Sequence, residues 1–181
     1  MVTPSWAQNA TASSFSLSSY HSVVYPKLGG GGGGGGGGGS GPVPTGTYSL
    51  RNRANGKMLD NLGSTADGAS VAQWADGSSN NQRWVLSYTS DGFAKLMCVT
   101  GSKYLDSMGR TGNDTQVGQW ANSSSFNQQW TLTSMGSGYY RIVNRANGLA
   151  LDTGGATNDG AFMEHWAVGS SFNQQWQFVA P

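Results

Sequence analysis

Charge is scarce in this chain of 181 residues: ten Lys+Arg stand against nine Asp+Glu, 10% of the total, for a formal net charge of +1. Nucleic-acid binding and attachment to acidic membranes need clustered basic surface, so both are excluded as partners. Cysteine is nearly absent. The one thiol, Cys98, excludes an internal disulfide framework and a multi-thiolate metal site, and reads as a small buried hydrophobe. No apolar run approaches the roughly eighteen residues of a membrane-spanning helix. The start, Met1-Val2-Thr3-Pro4-Ser5-Trp6, lacks the basic and apolar regions of a signal peptide. The chain is therefore expected to be either cytosolic or a piece of a longer exported one.

Glycine is abundant instead. Of 29 glycines, eleven form one run at residues 29–39, followed by Ser40-Gly41-Pro42-Val43-Pro44. Such a stretch is a flexible tether with a stiffer end. It divides the chain into residues 1–28, a linker at 29–44 and a folded part at 45–181. The first piece is too short for its own core. Its Phe15-Ser16-Leu17 and Val23-Val24-Tyr25 read as the remnant of a preceding β domain.

The folded part is a triplication. Asp60, Asp106 and Asp152 recur every 46 residues, as do Trp74, Trp120 and Trp166, and again Trp84, Trp130 and Trp176. Arg51-Asn52-Arg53-Ala54-Asn55-Gly56 returns as Val143-Asn144-Arg145-Ala146-Asn147-Gly148. The three repeats cover about 46–90, 91–136 and 137–181. Each holds short period-2 segments between Gly, Asn, Asp and Ser, as in Lys57-Met58-Leu59-Asp60 and Ser70-Val71-Ala72-Gln73-Trp74. Four strands per repeat give twelve. Three copies are too few for a propeller, whereas three such units can close into one barrel with capping hairpins. The expected fold is all-β, a β-trefoil with pseudo-threefold symmetry.

Alternation separates core from surface. In the closing strand Gln82, Trp84 and Leu86 share a face, as do Gln128, Trp130 and Leu132, and Gln174, Trp176 and Phe178. These point inward, with each Gln satisfying buried backbone groups. In the third strand Val71, Val117 and Met163 mark the inner face, which sends Trp74, Trp120 and Trp166 outward. Exposed aromatics recurring by symmetry indicate a repeated binding surface. Each accompanies an Asp after Leu and an Asn at 81, 127 or 173. An Asp there is suited to an Asx-turn. Three copies beside an outward indole and an amide also make a sugar constellation: the carboxylate accepts from neighbouring hydroxyls, the amide does both, and the indole packs on a pyranose C–H face. Glu164 adjoins the third set and adds an acceptor. Asp67, Asn113 and Asp159 read as turn residues only. His165 lacks partners at metal spacing and reads as structural, so neither metal nor cofactor is expected.

Gln-x-Trp at Gln82/Trp84, Gln128/Trp130 and Gln174/Trp176, with text such as Gly56-Lys57-Met58-Leu59-Asp60, resembles the ricin B-chain type β-trefoil lectins and carbohydrate-binding module family 13. The resemblance covers residues 45–181 and implies three shallow sites: Asp60, Trp74, Asn81; Asp106, Trp120, Asn127; and Asp152, Trp166, Asn173. It departs where many members carry a disulfide in each repeat. It departs again where the family's polar residue two before the aromatic is Ala72 or Gly118 and only in the third repeat Glu164, so the sites are unequal. The expected function is a non-catalytic, monomeric module that binds a polysaccharide or oligosaccharide of galactose, xylose or arabinose type. It would serve an attached, secreted glycoside hydrolase. A glycosidase needs two carboxylates flanking one bond, whereas each repeat offers one framework Asp. The alternative is a protein-binding trefoil, as inhibitor or scaffold, although such roles rest on one unique loop rather than on triplicated residues.

Overall fold

The computed structural model of the protein describes residues 41–181; the segments expected at residues 1–28 and in the glycine run lie outside it. Thirteen short strands follow in order: β1 (Gly46–Asn52), β2 (Met58–Asp60), β3 (Ala72–Trp74), β4 (Trp84–Tyr88), β5 (Ala94–Cys98), β6 (Tyr104–Asp106), β7 (Thr115–Gln116), β8 (Gly118–Trp120), β9 (Trp130–Gly136), β10 (Tyr139–Asn144), β11 (Ala150–Asp152), β12 (Glu164–Trp166) and β13 (Gln175–Val179). The first and last strand of each repeat pair antiparallel in a closed ring, β1-β4-β5-β9-β10-β13 and back to β1. Closure leaves this barrel no free edge. The inner strands form three capping hairpins, β2–β3, β6–β8 and β11–β12. This is the β-trefoil.

The extra strand arises because the third strand of each repeat breaks at its inward apolar residue. There Val71 N–H donates to Val117 O at 3.1 Å, Val117 N–H to Met163 O at 2.8 Å, and Met163 N–H to Val71 O at 2.8 Å. Backbone groups that leave their own ladder must find partners, and these three find one another in a cycle. All three side chains are fully buried. Short β7 survives on the far side of this break only in the second repeat, where it pairs with β12.

The core follows the alternation. Trp84, Trp130 and Trp176 are fully buried among Leu50, Leu59, Leu96, Leu105, Ile142 and Leu151. Cys98 is buried with no disulfide, its thiol pushed up to about 12 by burial. The Gln of each Gln-x-Trp departs from the expected strand, since it ends a single 3-10 turn, at Asn80–Gln82, Phe126–Gln128 and Phe172–Gln174. In the last two turns Ser125 and Ser171 cap the N-terminus through their hydroxyls, the favoured use of serine there.

Residues 41–44, read from the sequence as the end of the linker, pack against the barrel. Val43 is buried in the core cluster. Tyr88 Oη donates to Val43 O at 2.8 Å and Tyr48 Oη to Pro44 O at 2.9 Å. Burial pushes the Tyr88 hydroxyl up to about 12, so it remains a donor at every physiological pH. Two prolines flanking Val43 limit the freedom lost when it docks. Val43→Ala is expected to lower the unfolding free energy by about 1–2 kcal/mol, the transfer value of the methyl groups removed, as measured by urea denaturation of the whole chain.

Candidate functional site

Three shallow clefts open at equivalent positions of the three repeats. The first, about 460 Å³, is lined by Asp60, Leu62, Trp74, Ser79, Asn81 and Gln82 among others. The second, about 300 Å³, is lined by Asp106, Met108, Trp120, Ser123, Ser125 and Asn127. The third, about 350 Å³, includes Asp152, Gly154, Trp166, Ser171, Asn173 and Gln174. The sequence-predicted Asp, Trp and Asn of each repeat thus meet in one cleft. Glu164 stands beside the third: it faces Asp152 across the β11–β12 ladder, and its carboxylate lies against Gly154.

Each Asp is held by a turn, and the first two also by a glutamine. One carboxylate oxygen accepts the N–H two residues on: Leu62 at 2.7 Å for Asp60, Met108 at 2.7 Å for Asp106, and Gly154 at 2.8 Å for Asp152. This is the Asx-turn anticipated for an Asp at that place. The other oxygen accepts from the Gln side chain, Gln82 to Asp60 at 2.9 Å and Gln128 to Asp106 at 3.0 Å. The same glutamines donate to Ala75 O and Ala121 O and accept from Gly77 N–H and Ser123 N–H. Gln174 keeps the equivalent bonds to Ala167 O and Gly169 N–H. A carboxylate oxygen has two lone pairs, so each Asp retains acceptor capacity toward the cleft. Although 4–5% exposed, these groups are oriented before any ligand arrives.

The core tryptophans fix the same carboxylates from below. Their indole N–H groups donate to Leu59 O at 3.0 Å, Leu105 O at 3.2 Å and Leu151 O at 3.1 Å, each the carbonyl just before the site Asp. The second Trp set lies outward as expected, with Trp74, Trp120 and Trp166 41–45% exposed. An indole half out of solvent offers a flat apolar face. Of the amides, Asn81 accepts from Thr100 Oγ1 at 2.9 Å. Asn127 and Asn173 are positioned through their backbone, each N–H donating to a serine Oγ at 3.2 Å.

Sequence reasoning underrated Asp67, Asn113 and Asp159. Their side-chain oxygens accept the N–H of Ala121, Ala167 and Ala75 at 2.7, 2.7 and 2.8 Å, fixing the backbone just after the outward Trp of a different repeat. Lys103 and Lys57 ion-pair with Asp67 and Asp159 and hold those carboxyls below their usual range. The signal was present in the sequence: they keep the 46-residue register. Leu62 and Met108, which line the first two clefts at φ 57 and 59, were also missed. Phe126 and Phe172 are half exposed beside Asn127 and Asn173, stacked on Arg145 and Arg53.

His165 is structural, as expected. It stands where the other repeats have Gln73 and Gln119, stacks on Trp130 at 6.4 Å, and brings Nδ1 within 3.0 Å of Thr115 O. Burial holds it below the ordinary histidine range, so it is neutral. Among the described residues no group of three or more His, Cys, Asp or Glu is arranged to hold a metal ion.

The sequence matches the ricin-type beta-trefoil lectin domain-like family over residues 40–120 and 126–181. The chain belongs to this family. Among solved structures, this ricin-type trefoil is similar to the designed threefold-symmetric protein ThreeFoil, at 38% identity and TM-score 0.72 over 75% of this chain and 99% of that one. It is also similar to an exo-beta-1,3-galactanase from Clostridium thermocellum, at 33% identity and TM-score 0.71, covering 76% of this chain but 30% of the galactanase. The Macrolepiota procera ricin B-like lectin in complex with lactose shares the fold, at 21% identity and TM-score 0.64 over 75% of this chain and 95% of the lectin. No curated protein matches the ricin-type chain by sequence.

Proposed function

We propose that residues 41–181 form a non-catalytic, monomeric module that binds a polysaccharide or oligosaccharide through three clefts. The observation that carries this reading is the convergence of Asp, outward Trp and Asn in one cleft per repeat. A shallow cleft with one oriented carboxylate and one exposed indole suits a single pyranose, with weak affinity per site because hydroxyl hydration must be replaced. Catalysis is disfavoured by geometry. Glycoside hydrolysis needs two carboxyls on opposite sides of a bond, whereas Asp152 and Glu164 sit side by side on one hairpin. The preferred ligands are galactose-containing polymers, with xylose and arabinose types next, because the 33% identical relative is a galactanase. The same relative supports a role for this module in targeting an attached, exported glycoside hydrolase to its substrate.

The test is affinity electrophoresis of the whole chain in gels containing β-1,3-galactan, arabinogalactan, xylan, arabinoxylan or β-glucan, beside single Asp60→Ala, Asp106→Ala and Asp152→Ala variants. Retardation in a galactan gel is expected, with each substitution weakening it several-fold. If no polymer retards a chain that stays folded, the reading is wrong and a protein partner takes its place.

A further inference from the structure

Besides Ser123, which stands where the other clefts have Gly77 and Gly169, the three clefts differ at one pair of positions beside the Asp, and that difference is compensated in size. Asp60, Asp106 and Asp152 face Ala72, Gly118 and Glu164 across their hairpins. The residues two after each Asp are Leu62, Met108 and Gly154, all in the left-handed region at φ 57, 59 and 61. In the second cleft the two positions touch: a Cβ built at Gly118 would come within 2.9 Å of Met108 Sδ. In the third the relation is inverted, for a Cβ at Gly154 would collide with the Glu164 carboxylate. Leu62 and Met108 pair with small partners, and Gly154 pairs with a large one. One volume beside each Asp is filled by an apolar side chain in two clefts and by a carboxylate in the third.

The exchange runs against local stability. Like charges directly opposite in a ladder repel, and Glu164 faces Asp152. A third acid is drawn in from the second repeat. Asp114 takes the place of Gly68 and Gly160, whose Cα atoms lie under Trp120 and Trp74. Its N–H bonds to His165 O at 2.9 Å as theirs do to Gln119 O and Gln73 O at 2.8 Å. It does so at φ 61, where glycine is the easier residue. Burial, with the Asp114 and Asp152 charges, holds the Glu164 carboxyl above its ordinary range. These two breaks in threefold symmetry are both acidic, and both fall at the same cleft.

Resting on the sugar-binding reading, we propose that the pairs 62/72, 108/118 and 154/164 set what each cleft accepts. The third cleft takes a galactose-type hexopyranoside through one hydroxyl more than the others, donated to Glu164. The first and second clefts present Leu62 and Met108 to an edge of the ring that carries no donor. A hydroxyl given up opposite a carboxylate costs roughly tenfold or more in affinity.

The experiment follows the indole N–H resonances of Trp74, Trp120 and Trp166 in the whole chain, one reporter per cleft. Methyl β-galactoside and its monodeoxy derivatives are titrated in turn. One derivative is expected to bind about tenfold more weakly at Trp166 while unchanged at Trp74 and Trp120, and Glu164→Gln narrows that gap. The exchange Met108→Gly with Gly118→Glu is expected to give Trp120 the same requirement once the Ala69 carbonyl yields slightly, whereas Gly118→Glu alone must displace the Met108 side chain and gives it less fully. An unchanged profile in a double variant that melts like the parent overturns the inference, as does silence at Trp166 in a chain that galactan gels retard. Silence at all three reporters without retardation in any gel removes the sugar reading and this inference together.

Discussion

A chain carrying both Asp106→Ala and Asp152→Ala is expected to lose about a hundredfold in apparent affinity for a polymer. Its remaining first cleft should bind a monosaccharide as before. If all three clefts bind as proposed, weak sites on one trefoil convert the second and third contacts into intramolecular events, which raises avidity by roughly 10²–10⁴ without any new contact. The three clefts are separate pockets with no shared lining residue, so removing two leaves the third intact. The comparison is made by binding the polymer and a monosaccharide to parent and double variant side by side. A polymer affinity that drops only about threefold, in proportion to the clefts lost, would mean that the clefts act independently. Melting curves guard against a trivial loss, since each Asp also closes a turn through the N–H of Met108 or Gly154.

The 46-residue register carried most of what the structure displays. Core and outward tryptophans were legible because strand alternation assigns a face once an apolar position is known, and Val71, Val117 and Met163 supplied that position. Their break from the ladder was not legible. It depends on three backbone segments from different repeats meeting in a hydrogen-bonded cycle, and no local pattern encodes an encounter between residues 46 or 92 apart. The Gln of Gln-x-Trp was readable as a buried residue serving backbone groups, but its bond to the site Asp in the first two repeats crosses 22 residues and appears only in the fold.

Two other features show where composition misleads. Residues 41–44 read as linker because Gly and Pro surround a single valine, yet that valine is the part that docks, with tyrosine hydroxyls meeting its carbonyl neighbourhood. Asp67, Asn113 and Asp159 read as turn formers because each sits beside Gly or Asp. Their partners are 54 or 84 residues away, in the chain that follows an outward Trp. Charge at these sites is matched in pairs: Lys57 with Asp159 and Lys103 with Asp67, while the third pair of equivalent positions, Leu149 and Asn113, is neutral on both sides. A change in one repeat is answered in another at these positions, whereas at Gly154 and Glu164 it is answered within a single hairpin.

Trp130→Ala is expected to cost about 3–5 kcal/mol, the usual loss for a buried large aromatic cut to alanine. Against a total stability of roughly 5–15 kcal/mol for an ordinary domain, that is a large share. Part of it comes from the cavity and part from Leu105 O, which loses the indole donor now at 3.2 Å and stays buried. The same carbonyl precedes Asp106, so the backbone that aims the second cleft's carboxylate loses its anchor. Sugar binding reported by Trp120 should therefore weaken, while Trp74 and Trp166 keep theirs under conditions where the variant remains folded. Trp130→Phe separates the two contributions: it restores most of the volume but not the donor, so stability should recover further than binding at Trp120. His165 stacks on Trp130 and on neither of the other core tryptophans. Trp84→Ala, which leaves that stack in place, should accordingly cost less than Trp130→Ala in the same denaturation experiment. Equal weakening at all three reporters would mean that the core transmits the loss globally, and the link from indole to Leu carbonyl to Asp would have to be abandoned.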